Sequence, residues 1–219
     1  MTPAVARILP FAIYIGFLVL EQVVSTLGLG IDVRPLYPVK AACVAIALAL
    51  LWKRYGELTS FGGVRAADWL LAAGVGVLIF VLWIVLDQSW AVLGKSDGWD
   101  PTGSDGRTAW LLVAARLSGA VLVVPIMEEL FWRSFVMRWI RDHNFLTVAP
   151  RQVGATALLV SSALFAVEHH EWLAGLLAGL AYSWIYMRSR NLWPAIASHA
   201  LTNLLLGGWI LYTRQWQFW

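Results

Sequence analysis

Ionisable side chains inside apolar stretches are the feature of this sequence that most directly indicates chemistry. Glu128, Glu129 and Arg133 lie in the apolar stretch 111–138. A charge near the centre of a bilayer costs at least about 2.5–3.5 kcal/mol, so such residues usually face a polar interior and have a task. Glu129 precedes Arg133 by four residues, the favourable order for an ion pair on one helix face. Glu128 points about 100° away, so its carboxylate stays free and is a candidate general base.

Two further polar pairs have the same helical spacing of four residues. Phe165 precedes His169 by one turn, and His199 precedes Asn203 by one turn, so the members of each pair share a helix face. The His199 imidazole and the Asn203 carboxamide can both donate hydrogen bonds to a single anion. Together with Glu128, these pairs supply a base, a second proton-handling group and two donors for an oxyanion. Water-mediated hydrolysis of an amide bond needs this set of groups.

Each of these residues also has a purely structural interpretation. A buried pair such as Glu129 and Arg133 often only holds helices together, and a histidine in a helix is usually a hydrogen-bonded core residue. The functional interpretation therefore depends on the three groups occurring together in one chain. We interpret four other ionisable residues as interface, pairing or pocket-lining residues: Glu21, Asp87, Arg116 and Glu168.

The apolar stretches themselves predict a bundle of membrane-spanning helices. Hydrophobic residues make up 60% of the chain and charged residues only 13%, which leaves too little polar surface for a water-soluble globule. A spanning helix needs about 20 mostly apolar residues, and a closed barrel would need period-two alternation, which is missing. The candidate spans lie at about residues 8–28, 39–52, 68–87, 111–138, 153–168, 172–187 and 192–212. We predict an all-α, polytopic transmembrane helical bundle of seven or eight spans, forming a single transmembrane domain over residues 1–219.

Two positions along these spans constrain the site. Pro125 cannot donate a backbone hydrogen bond and should kink its helix just before Glu128, which could open a polar pocket. His169 falls at the outer end of its span, whereas Glu128 and Asn203 fall near the middle of theirs. A shared site therefore requires the turn at 170–172 to fold toward the protein interior and His169 to lie within about 10 Å of Glu128.

Basic residues predict the orientation of the bundle. Lysine and arginine side chains cluster in the loops after the second, fourth and sixth spans, so these loops should face the cytoplasm. The residues are Lys53, Arg54, Arg65, Arg138, Arg141, Arg151, Arg188 and Arg190. The loop 88–107 has a more acidic set of charged residues and fits the opposite side. This set is Lys95, Asp97, Asp100, Asp105 and Arg107.

This asymmetry also bears on location and partners. We predict an integral membrane protein of a bacterial inner membrane, with a cytoplasmic N-terminus and with membrane lipids as partners. The net charge of +3 follows from the basic loops, so no nucleic-acid partner is expected. The sequence has no CxxC or HExxH spacing, so we expect no metal or other cofactor.

The order of the three motifs resembles a known family. These are the CPBP intramembrane proteases, which include the type II CAAX prenyl endopeptidases and bacterial proteins linked to bacteriocin self-immunity. The resemblance covers a motif-bearing core at about residues 117–207 and is carried by the family patterns EExxxR, FxxxH and HxxxN. In this chain the patterns are Glu128-Glu129-x-x-x-Arg133, Phe165-x-x-x-His169 and His199-x-x-x-Asn203.

The resemblance implies a glutamate-dependent intramembrane endopeptidase. Glu128, with His169, would activate water, while His199 and Asn203 would stabilise the tetrahedral oxyanion. The other two residues of the first motif would position the base. The substrate implied is a peptide or a lipid-modified protein cut near the membrane surface, and whether it is prenylated stays open.

Three alternatives stay open beside this hypothesis. His169, His199 and Glu128 would also give a ligand set of the kind seen in catalytic zinc sites. A membrane immunity or assembly factor could keep the motifs only for folding, and Glu128→Ala would then preserve function in cells. A transporter could use buried Glu and His side chains as a proton relay, and it would have to show substrate flux in liposomes.

Overall fold

The chain folds into a helical bundle. The computed structural model describes residues 1–28, 30–94, 98–103 and 106–219. In this part of the chain the only β pairing is an isolated bridge between Thr102 and Thr108, so the predicted all-α class is confirmed. The long helices are α1 (Pro3–Thr26), α2 (Leu36–Leu51), α3 (Ala66–Val85), α4 (Trp110–Arg141), α5 (Gly154–Val167), α6 (Trp172–Ser189) and α7 (Trp193–Thr213). Three charged residues of the predicted acidic loop, Lys95, Asp97 and Asp105, lie outside the described residues.

Five of these helices are long and apolar enough to cross a membrane: α1, α2 with its extension to Arg54, α3, α4 and α7. The shorter α5 has 14 residues, or about 21 Å of rise, against a hydrocarbon core of about 30 Å. The 18-residue α6 contains Gly, Ser and Tyr and is not among the helices of spanning hydropathy. The predicted count of seven spans is therefore roughly consistent with the seven long helices of the described residues, five of which meet the criteria for spanning.

Small residues set the closest helix contacts. A Cβ atom on Gly76 of α3 would lie 2.8 Å from the carbonyl oxygen of Ser198 on α7, so the two backbones touch there. A Cβ atom on Gly179 of α6 would lie 3.1 Å from Ser162 of α5. Apolar attraction adds little between helices in lipid, so such close packing is a main source of helix association. These contacts fix α7 and α5, which carry two of the three motifs.

The helix α4 is continuous but not uniform. Two π-helical segments, Gly119–Val123 and Leu130–Val136, flank the α-helical turns Val124–Glu129. Pro125 lies two residues after the end of the first segment, and the wider turn accommodates the backbone hydrogen bond that proline cannot make. The sequence predicted a kink at this point. The structure has π segments there, in the helix that carries Glu128.

At the end of the bundle where α4 finishes, Glu57 joins three polar side chains, one from α1 and two from α4. The guanidinium of Arg7 lies 2.5 Å from one Glu57 oxygen, Ser134 donates a hydrogen bond to the other, and Arg138 lies 3.5 Å away. Burial alone would raise the pKa of Glu57, but the Arg7 charge and the hydrogen bonds from Arg7 and Ser134 outweigh it and hold that pKa below its usual range. This cluster ties α1 and the loop after α2 to α4.

Candidate active site

The three sequence motifs meet at one internal cavity of about 260 Å³. Glu128 comes from the middle of α4, His169 from the turn after α5, and His199 and Asn203 from the first half of α7. All four side chains line the cavity, and Phe165 also lines it. The predicted candidates, which are separated by up to 75 residues in sequence, therefore share one site in the structure.

Glu128 has the unpaired carboxylate of this site. Its side chain is buried, and its Oε2 atom makes no hydrogen bond to another described residue. The Nε2 atom of His199 lies 3.9 Å from this oxygen, which is too long for a hydrogen bond. A water or substrate atom in the cavity is therefore the available partner for this oxygen.

His169 reaches the site because of how α5 ends. The helix stops at Val167, so the Phe165 carbonyl has no further backbone partner within the helix. The Nδ1 atom of His169 lies 2.7 Å from this oxygen, and its ring packs 4.5 Å from the Phe165 ring. A carbonyl oxygen can only accept, so Nδ1 carries the proton and Nε2 of a neutral His169 is an acceptor.

The turn that holds His169 is covered by protein, as a shared site requires. The backbone N–H of Leu93 donates to the carbonyl of His170 at 2.7 Å, and Leu173 donates to the carbonyl of Ala91 at 3.4 Å. One potential ligand atom each of Glu128, Glu168 and His169 lies within 4.8 Å of the others. The separation of Glu128 and His169 is thus well under the 10 Å that a shared site allows.

Glu129 and Arg133 form the ion pair that their spacing predicts, and the pair holds His199. Arg133 Nε lies 3.2 Å from one oxygen of Glu129, and His199 Nδ1 lies 3.0 Å from the other. All three side chains are buried. An ionised carboxylate can only accept, so Nδ1 of His199 is protonated, and Nε2 can donate to an oxyanion only in the imidazolium form. The resemblance implied that this pair positions Glu128, whereas its observed contact is with His199.

Asn203 has one of its two amide hydrogens engaged. Its Nδ2 atom donates to the carbonyl oxygen of Ala120 at 2.8 Å, inside the first π-helical segment of α4. The second N–H stays available to the cavity. The site therefore offers one donor from Asn203 and, when His199 is protonated, a second donor.

Aromatic contacts that the sequence did not indicate fix the two histidines. Tyr182 of α6 stacks on His199 with ring centroids 5.1 Å apart, and Trp83 of α3 meets His169 edge-on at 5.4 Å. The guanidinium of Arg133 lies 4.3 Å from the centre of the Phe165 ring. No short sequence pattern links Tyr182 or Trp83 to the motifs, because they come from other helices.

A carboxylate-rich group could hold a cation. Glu128, the exposed Glu168 and His169 form the ligand cluster described above. The sequence suggested a different zinc ligand set, in which His199 took the place of Glu168. Among the described residues, His169, His199 and Glu128 do not form a compact ligand group. Carboxylate oxygen and imidazole nitrogen are both zinc ligands.

The cavity lies toward one end of the bundle. Its wall includes Trp83 near the end of α3, Arg116 near the start of α4, and Phe218 and Trp219 after α7. These residues lie at the end of the bundle where α3 and α7 finish and α4 begins. The basic loops that follow α2, α4 and α6 lie at the other end.

Comparison with known families agrees with the motifs. Residues 108–205 match the family described as type II CAAX prenyl endopeptidase Rce1-like, and this segment contains every candidate site residue. No curated protein and no solved structure matches the chain. The family implies a protease that acts on prenylated protein substrates in membranes, and the apolar helices make this chain an integral membrane protein. The resemblance predicted from the three motifs is therefore confirmed, because residues 108–205 match the Rce1-like family of type II CAAX prenyl endopeptidases.

Proposed function

We propose that this chain is an intramembrane endopeptidase in which Glu128 activates water to cut a peptide bond. The observation that carries the proposal is the convergence of Glu128, His169, His199 and Asn203 on one cavity, where a carboxylate oxygen of Glu128 has no hydrogen-bond partner among the described residues. A buried, unpaired carboxylate beside a second proton acceptor is a suitable arrangement for general-base catalysis.

The reaction follows from the contacts. Glu128, with His169 Nε2 nearby, removes a proton from water, and the oxygen attacks the carbonyl carbon of the scissile bond. The carbonyl becomes an oxyanion, which accepts hydrogen bonds from His199 Nε2–H and from the free N–H of Asn203. The C–N bond then breaks, the leaving nitrogen takes the proton from Glu128, and a carboxylic acid and an amine are released. Glu129, paired with Arg133, accepts from His199 Nδ1 and so orients the imidazole toward the oxyanion.

We also propose an orientation. The basic loops after α2, α4 and α6 are assigned to the cytoplasm of a bacterial inner membrane, which places the N-terminus inside. The cavity lies toward the opposite end, so the substrate would reach Glu128 from the non-cytoplasmic side. Cysteines introduced one at a time at Thr59 and Thr102, in a Cys43→Ala background, are labelled from outside intact spheroplasts to test this assignment. Labelling of Thr102→Cys alone supports it, and labelling of Thr59→Cys alone contradicts it.

The endopeptidase proposal is tested with a farnesylated CAAX reporter peptide and the purified full chain. Product masses should show one cut, and a reaction in water enriched in ¹⁸O should place one labelled oxygen in the new carboxyl group. An intact reporter after long incubation at high enzyme concentration would contradict the proposal for this substrate class. An unmodified peptide of the same sequence measures how much the lipid contributes.

A zinc-dependent protease is the second candidate, because Glu128, Glu168 and His169 come within ligand range of one another. The two mechanisms differ at Glu168, which is a ligand only if a metal is used. The glutamate mechanism predicts that Glu168→Gln and a strong chelator each leave cleavage within about threefold of the untreated wild type. The zinc mechanism predicts loss of cleavage in both cases, restored by added Zn²⁺ only after chelation.

A further inference from the structure

Arg116 is the cation of the cavity wall, and it has no acidic partner among the described residues. It lies near the start of α4 and lines the same cavity as Glu128. Its guanidinium carbon lies 4.6 Å from the centre of the Tyr37 ring, 4.8 Å from that of Trp99 and 5.8 Å from that of Trp219. The described buried cations Arg7, Lys40, Arg133 and Arg138 each lie within 4.0 Å of a carboxylate oxygen.

Contact with aromatic rings leaves the hydrogen-bonding capacity of Arg116 unused. A guanidinium donates through N–H groups that lie in its own plane, while rings attract it through their faces. No described protein atom accepts a hydrogen bond from Arg116. Its nitrogens are not among the buried atoms that lack a partner, so they remain accessible to the cavity or to solvent. The aromatic rings therefore fix the position of the guanidinium while its in-plane N–H groups stay free to donate. A carboxylate is a suitable acceptor for these groups.

The separation of Arg116 from the base limits what this carboxylate can belong to. Arg116 precedes Glu128 by twelve residues on one helix, which is roughly 18 Å of rise. An extended peptide of three to five residues spans about 10–18 Å. The separation thus places a carboxylate held by Arg116 up to about five residues from a peptide bond at Glu128.

We propose that Arg116 binds the C-terminal α-carboxylate of the substrate and so sets how far from its end the chain is cut. This inference rests on the proposed endopeptidase function. The three rings hold the guanidinium in place, the aromatic and apolar wall accepts the last side chains of the substrate, and Glu128 acts on the bond upstream. Arg116 would be a specificity residue with no part in the bond-breaking step.

The test compares two farnesylated reporter peptides that differ only at the C-terminus, one a free acid and the other a carboxamide. Wild type should prefer the acid, mainly through KM, by roughly 10- to 100-fold, as expected for a charged hydrogen-bonded contact. Arg116→Gln should raise KM for the acid toward that of the amide and leave kcat nearly unchanged. Arg116→Lys should keep part of the preference. Arg34→Gln is the matched control, because Arg34 lies outside the cavity and pairs with Asp32 at 2.8 Å.

A binding assay distinguishes a failure of this inference from a failure of the proposed function. Both peptides are titrated onto Glu128→Gln protein, with and without Arg116→Gln, in phosphatidylcholine nanodiscs with or without phosphatidylglycerol. Acid-selective binding that needs Arg116 supports the carboxylate site even if wild type cuts neither peptide, in which case the proposed function fails alone. Equal affinity for acid and amide, or a preference that survives Arg116→Gln, overturns the inference. An Arg116 effect that appears only with phosphatidylglycerol would assign the guanidinium to a lipid headgroup and also overturn it.

Discussion

Replacing Asn203 with alanine should remove one donor to the oxyanion and slow the chemical step. Asn203 uses one N–H for the Ala120 carbonyl, so only the second one faces the reaction. Loss of a single oxyanion donor typically costs about 2.7–4 kcal/mol, or 10²–10³-fold in kcat. Because this contact forms only in the transition state, KM should change little. Asn203→Asp keeps the shape but loses both N–H groups and adds a charge of the wrong sign, so its defect should be at least as large.

The loss of stability from this substitution should be small. The hydrogen bond to Ala120 contributes about 1 kcal/mol to folding. Asn191 is a matched control of the same residue type, since it bonds Ser60 at 2.9 Å and accepts from the backbone of Trp193 at 3.0 Å, far from the cavity. Asn191→Ala should lower the midpoint of thermal unfolding at least as much as Asn203→Ala, while kcat stays within about threefold of wild type.

The assay is steady-state cleavage of the farnesylated reporter, with thermal unfolding in detergent measured on the same preparations. The reasoning is refuted if Asn203→Ala keeps kcat within about threefold of wild type. It is also refuted if Asn191→Ala and Asn203→Ala lose the same fraction of kcat, because the effect would then follow stability and not the oxyanion.

Three further predictions concern the scaffold. Arg133→Met should lower the free energy of unfolding by about 3–5 kcal/mol, because it removes the guanidinium that pairs with the buried Glu129 carboxylate. An unchanged midpoint of thermal unfolding would show that the pair is not needed. Acid should weaken the fold through Glu57, because the pKa of this carboxyl is lower in the folded than in the unfolded chain. Its contribution to the free energy of unfolding is complete above the pKa of the unfolded chain and is lost as the pH falls through the pKa of the folded protein. Thermal midpoints measured between pH 3 and 7 should show this loss in wild type and a flatter profile in Glu57→Gln, and parallel profiles would contradict it. Gly76→Ala should lower stability by about 1–3 kcal/mol, because its Cβ atom would meet a backbone carbonyl at 2.8 Å, whereas Gly74→Ala on the same helix meets no atom within 4 Å and serves as the control.

Spacing within single helices predicted much of the site. Residues four apart share a helix face, so the ion pair of Glu129 with Arg133 and the packing of Phe165 against His169 follow from sequence alone. The apolar stretches also predicted the class of the fold and the approximate helix positions, because lipid requires each backbone amide to bond within its own helix. The function that the resemblance implies requires the motif residues to act together, so it also predicted that they share one cavity.

Contacts between helices could not be predicted in this way. Glu129 meets His199 across seventy residues, and Tyr182 stacks on the same imidazole from a third helix. Their spacing in sequence has no period, since it depends on which helix faces pack together. The π-helical segments of α4 are equally hidden, because Pro125 indicates a disturbed helix but not whether it kinks or widens. Arg116 was interpreted only as a pairing or lining residue, and its ring contacts come from three separate segments.

The role of Glu128 is the central claim, and one comparison tests it most directly. Wild type, Glu128→Gln and the control Asp142→Asn are incubated with the farnesylated reporter, and the products are quantified by mass spectrometry. Asp142 is exposed, and its asparagine variant keeps the oxygen that accepts from Asn144, so this control should cut normally. We expect Glu128→Gln to bind the reporter with nearly unchanged affinity but to cut it about 10²–10⁴-fold more slowly. Cleavage by Glu128→Gln at the wild-type rate, giving the same products, would contradict the account.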